Sequence, residues 1–127
     1  MTDILIVEDE PAILDSLEFI LTRCGWSVDV ARDGEAALEA AYRDRPRMML
    51  LDIMIPRRNG LDVLREMRAN EALRDTSVLM LTARGQPYDR QAAENLKADG
   101  FITKPYANTE IVAAVRRVLE PAPPLPA

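Results

Sequence analysis

Two kinds of apolar pattern alternate along the chain. Ile4 to Val7 is an unbroken aliphatic run closed by Glu8-Asp9-Glu10, which predicts a strand buried on both faces. Pro11 suits a first helical turn. Ile13, Leu14, Leu17, Ile20, Leu21 and Cys24 then recur at helical spacing until Gly25 supplies a stop, with Cys24 expected as a buried helix residue. Val28 and Val30 alternate with Ser27 and Asp29, the mark of a half-buried strand near a sheet edge. Arg32-Asp33-Gly34 turns into an alanine-rich helix from about Glu35 to Arg43. Met48 to Leu51 is a second fully apolar strand reaching Asp52, and Pro56, Asn59 and Gly60 mark the loop before a helix carrying Leu61, Leu64 and Met67.

The alternation continues to the end. Ser77 to Thr82 predicts a fourth strand, Ala83-Arg84-Gly85 a connector, and Tyr88 to Ala98 a weakly amphipathic helix whose few large apolar residues predict loose packing. Phe101 to Thr103 is a short fifth strand. Ile111, Val112, Val115, Val118 and Leu119 lie on one face of a last helix. Strands and helices in strict alternation with short connectors require crossover connections. The predicted architecture is therefore a doubly wound α/β fold, a five-stranded parallel sheet with five helices on its two faces. Residues 1–120 form one domain. The segment 121–127, with four prolines in seven residues, cannot continue a helix and reads as a Pro-rich tail or linker stub.

Composition narrows the chemistry. Over 127 residues, 48% hydrophobic and 29% charged is the balance of a soluble globule able to form a core. No apolar stretch approaches the roughly 18 to 20 residues of a membrane span, and the amino terminus has neither the basic lead nor the apolar length of a signal peptide. A single cysteine excludes an intramolecular disulfide, so a cytoplasmic location is expected. With no histidine, imidazole bases, nucleophiles and metal ligands are all excluded. Sixteen basic against 21 acidic residues give a net charge of −5, which argues against direct nucleic-acid binding. The Arg43, Arg45 and Arg47 set and the pairs Arg57-Arg58 and Arg116-Arg117 read as solvated surface.

In open parallel sheets the site lies beyond the carboxyl ends of the strands. Those ends are Glu8 and Asp9, Asp52, Thr82, and Lys104-Pro105. Each alone is ordinary. Together they place three carboxylates, a hydroxyl and an ammonium in one crevice, and crowded carboxylates cost stability unless a cation is bound. A hard divalent ion with room for water and a substrate phosphate points to magnesium over calcium.

These residues resemble the receiver domains of two-component response regulators, and the resemblance covers residues 3 to 120. It rests on Glu8-Asp9, Asp52-Ile-Met-Ile-Pro56, Gly60, Thr82-Ala83 and Lys104-Pro105 in the family's order and approximate spacing. It implies a flavodoxin-like, CheY-like sheet of strand order 2-1-3-4-5. It implies that Asp52 accepts a phosphoryl group from a phosphohistidine on a sensor histidine kinase or histidine phosphotransfer protein, which accounts for the missing histidine. Asp9, Asp52 and the Met54 backbone carbonyl would bind Mg2+, with Mn2+ as a substitute, and Glu8 would act through metal-bound water. Thr82, Ala83 and Lys104 would bind the phosphate, and the Lys104–Pro105 peptide would be cis. Thr82 and Phe101 would form the switch that controls an unknown output protein or a phosphorelay, while Met54 and Arg84 would tune the lifetime of the phosphorylated state.

One departure concerns assembly. Receivers of winged-helix transcription factors dimerise through an acidic pair before the aromatic and an arginine in the last helix. Here Asp99-Gly100-Phe101 and Val112-Ala113-Ala114-Val115 leave that set incomplete, so a monomer or weak dimer is expected. The alternative reading is a non-phosphorylated pseudo-receiver acting as a protein-binding scaffold, whose expected mark, loss of the Asp, Thr or Lys, is absent. An aspartate-dependent phosphatase would carry a second acid where Met54 stands. A dinucleotide carrier would need a GxGxxG loop after the first strand. The reading is of a signalling phosphoacceptor and not a metabolic enzyme.

Overall fold

The computed structural model describes residues 2–83 and 87–120. The elements are β1 (Ile4–Val7), α1 (Pro11–Arg23), β2 (Val28–Ala31), α2 (Gly34–Asp44), β3 (Met48–Asp52), α3 (Gly60–Ala69), β4 (Ser77–Ala83), α4 (Pro87–Asn95), β5 (Gly100–Lys104) and α5 (Asn108–Leu119). All neighbouring strands pair in parallel, in the order β2-β1-β3-β4-β5. The five-stranded doubly wound sheet is the architecture the alternation predicts. Arg84, Gly85 and the tail 121–127 lie outside the described residues.

The two-residue period of each strand builds two cores. Leu5, Val7, Met49, Leu51, Val78 and Met80 face α2, α3 and α4, whereas Ile4, Ile6, Met48, Leu50, Leu79, Leu81 and Ile102 face α1 and α5. Both sides of β1 and β3 are thus buried, which is why their sequences are unbroken apolar runs rather than alternating ones. β2 is an edge strand and only half buried. The helix starts are fixed by local chemistry: Asp33 Oδ1 accepts from the Ala36 N–H at 2.8 Å, and Asn59 Oδ1 from the Asp62 N–H at 2.9 Å.

Three expectations need correction. Cys24 is the half-buried cap after α1, not a buried helix residue, because Gly25 at φ 98 turns the chain immediately after it. α4 ends at Asn95, short of Ala98, since Lys97 takes a left-handed φ of 63. β5 spans Gly100–Lys104, so the register with β4 extends it at both ends. α4 itself buries Ala93 against the sheet, with Leu96 just beyond it partly packed on the same core.

The amino-terminal edge of the sheet is tied down by polar side chains. Arg68 donates to the carbonyls of Arg74, Thr76 and Lys97 and pairs with Asp99 at 3.2 Å. Asp99 also accepts from the Val78 N–H at 2.7 Å. Nearby, Trp26 Nε1 donates to Glu120 at 3.1 Å while the Arg116 guanidinium lies 5.5 Å from the indole centroid, and Arg47 donates to the Leu119 carbonyl. No helix among the described residues is long and apolar enough to cross a membrane.

Candidate functional site

At the carboxyl edge, β1 and β3 end side by side, so Glu8 and Asp52 emerge from adjacent strands. Both are buried, at 1% and 4% exposure, while Asp9 is exposed at the mouth. Glu8 Oε2 accepts from the N–H groups of Asp9 (3.1 Å) and Glu10 (3.3 Å), which holds the acidic turn against its own side chain. Asp52 Oδ1 accepts from the Met54 N–H at 2.9 Å. β5 brings in Lys104, whose Nζ lies 2.6 Å from Asp52 Oδ2 and 3.0 Å from Glu8 Oε1.

The remaining residues fall around this centre. Thr82 is buried on β4, one residue past the partner of Asp52 in the β3–β4 register, and Ala83 pairs with Lys104 in the β4–β5 register. The Lys104–Pro105 peptide is cis. Met54 is well exposed beside Asp52. Phe101, opposite Met80, lies outside the acid pocket, and the Arg90 guanidinium sits 4.9 Å from its ring centroid. Next to Lys104 an apolar cleft of about 580 Å3 opens between α1 and the start of α5, walled by Ile13, Leu17, Pro105 and Tyr106.

The electrostatics follow from burial. Desolvation raises the Glu8 pKa above the ordinary 4.5, the Asp52 charge adds to it, and the Lys104 contact only partly opposes it. Burial would by itself lower the Lys104 pKa, but the hydrogen bonds to Asp52 and Glu8 outweigh it, and the net shift is upward from 10.5. Lys104 is therefore a fixed cation at neutral pH. Glu8, Asp9 and Asp52 each offer a carboxylate oxygen, all within 4.8 Å of one another. The three carboxylates, all hard oxygen donors and opposed by a single ammonium, fit a divalent cation such as Mg2+.

The Glu8 shift has a measurable sign. The folded protein holds this proton more tightly than the unfolded chain, so stability falls as pH rises from about the unfolded value of 4.5 through the folded one. Glu8→Gln keeps an acceptor for Lys104 and removes the buried charge. In chelator, urea unfolding of the variant is expected to show a flatter pH profile and higher stability than the parent at neutral pH. A variant less stable than the parent there would mean that the Lys104 pairing outweighs the cost of burial.

Sequence reasoning placed the carboxylates, Thr82 and Lys104 at one edge of the sheet, where the structure has them, but missed the Lys104–Glu8 bond, the Arg90–Phe101 stack and the cleft beside Lys104. The first joins residues 96 positions apart and leaves no local pattern. Asp99, considered for an intermolecular contact, is engaged by Arg68 within the chain.

The family model for the response regulator receiver domain matches residues 4–116. Among curated relatives, the sensory transduction protein RegX3 of Mycobacterium tuberculosis is 40% identical over 119 residues, covering 94% of this chain and 51% of its own. The alkaline phosphatase synthesis transcriptional regulatory protein PhoP of Bacillus subtilis is 36% identical over 116 residues, covering 91% and 48%. The chain spans about half the length of the curated relatives it matches. Among solved structures, the chemotaxis response regulator CheY4 of Vibrio cholerae superposes with a TM-score of 0.87 at 28% identity, covering 94% of this chain and 99% of that one. The receiver domain of the sensor histidine kinase PA1611 from Pseudomonas aeruginosa, solved with a magnesium ion in its active-site cleft, gives 0.84 at 30% identity, covering 92% and 96%.

Proposed function

The chain belongs to the response regulator receiver domain family, and from that premise we propose that it is a phosphoreceiver in which Asp52 takes a phosphoryl group from a phosphohistidine of a sensor histidine kinase or histidine phosphotransfer protein. The observation that carries this reading is the Lys104 ammonium held 2.6 Å from the Asp52 carboxylate inside a buried acidic pocket. An Asp52 carboxylate oxygen attacks phosphorus, forming an O–P bond as the P–N bond to the donor imidazole breaks. Phosphoryl transfer is dominated by positioning and charge stabilisation, and Lys104, already charged and aimed at the reacting carboxylate, stabilises the equatorial oxygens. Thr82 and the Ala83 amide, at the end of the adjacent strand, donate to the same oxygens. Asp9, Asp52 and the Met54 carbonyl would hold Mg2+, with Glu8 acting through water. When bound, the ion supplies charge neutralisation between the carboxylates and the phosphoryl oxygens.

The product places about −1.5 to −2 charges and three acceptors beside Thr82. In this reading Thr82 and Phe101 form the responding face, and Arg90, stacked on the ring, is the contact that an inward turn of Phe101 would break. Residues 1–120 act as the receiver, as a monomer or weak dimer, and the output partner is a protein rather than nucleic acid bound directly. The test is intact-protein mass after acetyl phosphate treatment. A single phosphoryl adduct is expected with Mg2+ and none after chelation. No adduct from acetyl phosphate or from a phosphorylated histidine phosphotransfer protein, together with no Mg2+ binding, would favour the scaffold alternative.

A further inference from the structure

We propose that the amino end of α2, at Gly34, is a positioning element for the Asp52 carboxylate and so for Mg2+ bound there, an inference that rests on the reading of Asp52 above. The loop between β3 and α3 carries Met54, whose N–H fixes Asp52 Oδ1, so the conformation of that loop sets the carboxylate's orientation. Part of the loop is held from inside: the N–H groups of Ile55 and Gly60 both donate to the Ile53 carbonyl, at 3.2 and 2.8 Å. Its outer turn is held from α2. The Pro56 carbonyl accepts from Arg58 N–H at 2.8 Å and from Gly34 N–H at 3.2 Å. Arg57, between them, has a left-handed φ of 70, a conformation that side-chain-bearing residues populate sparsely and that needs external support. Arg58 is further paired with Glu66 of α3 at 2.7 Å.

Position 34 must be glycine for this contact to exist. A Cβ there would strike the Arg58 carbonyl oxygen and the Arg58 Cβ, neither of which is the yielding tip of a side chain. Any larger residue therefore forces α2 and the 56–58 turn apart. Gly34 touches none of the pocket's charged groups, so its effect travels through the turn to Met54 and from there to Asp52. Supporting residues around a metal ligand commonly change affinity by about ten- to a hundredfold when altered.

The experiment is Gly34→Ala in the full chain, with folding checked by far-ultraviolet circular dichroism and Mg2+ affinity by calorimetry. The expected result is Mg2+ binding weaker by about ten- to a hundredfold, with the rate of uptake from acetyl phosphate returning to near the parent value at saturating Mg2+. A folded variant with parental Mg2+ affinity overturns the inference, as does a loss of uptake that saturating Mg2+ does not recover. Should the variant fail to fold, amide hydrogen exchange of the parent decides: Mg2+ is expected to slow exchange at Gly34, and unchanged exchange overturns the inference. A parent that binds Mg2+ but takes up no phosphoryl group removes the phosphoacceptor reading and leaves the brace standing. A parent that binds no Mg2+ removes both.

Discussion

Asp52→Asn is expected to take up no phosphoryl group, from acetyl phosphate or from a phosphohistidine donor, while remaining folded. Asparagine has nearly the shape of aspartate, and its amide oxygen can still accept from the Met54 N–H, so the end of β3 and the loop after it keep their geometry. What disappears is the carboxylate oxygen proposed as the nucleophile and the charge that meets Lys104 at 2.6 Å. Lys104 retains Glu8 at 3.0 Å, so its ammonium is not left without a partner. Loss of uptake with an unchanged circular dichroism spectrum thus isolates the chemistry from the fold. Intact-protein mass provides the readout, and an adduct on the variant of the same yield as on the parent would move the acceptor to another side chain, Thr82 first among them.

Gly60→Val is expected to lose about 3 kcal/mol or more of folding stability, a large share of the roughly 5 to 15 kcal/mol typical of a domain. Gly60 opens α3 directly beneath the end of β3. A Cβ at this position would collide with the Asp52 carbonyl oxygen and come within 2.8 Å of Ile53 Cα. Both obstacles are backbone, so relief requires lifting the loop or tilting α3 away from a core that holds Val63, Leu64 and Met67. The Gly60 N–H bond to the Ile53 carbonyl, 2.8 Å, would be lost in either movement. A urea midpoint within error of the parent would show that the turn can open without penalty.

The order of elements was readable because each strand announces its burial. β1 and β3, covered on both sides, are continuous aliphatic runs, and the edge strand β2 alternates. The acidic crevice was readable because a parallel sheet gathers the residues at and just beyond the carboxyl ends of its strands, so the sequence alone places Glu8, Asp9, Asp52, Thr82 and Lys104 together. The limits of this reasoning are equally specific. Asp33-Gly34 reads locally as a turn into a helix, and only the packing of α2 on Arg58 shows why the second residue has no side chain. Arg68 looks like any exposed helix arginine, yet it collects three carbonyls from two loops. Arg90 over Phe101 and Lys104 on Glu8 join separate elements. Such pairings depend on how helices seat on the sheet, which hydrophobic periodicity fixes in face but not in side-chain detail.

The anchoring of Trp26 gives the protein a built-in optical probe. It is the chain's one tryptophan, set two residues before β2 and so at the opposite end of the strands from the carboxylates, with its indole N–H on Glu120 and Arg116 over its ring. Indole emission responds to charges and water within a few ångströms. Its fluorescence is therefore expected to report whether the end of α5 is docked, and to stay constant when Mg2+ is titrated into the acid pocket. A change in emission is a signature of unfolding or of α5 release, separable from site occupancy in the same cuvette.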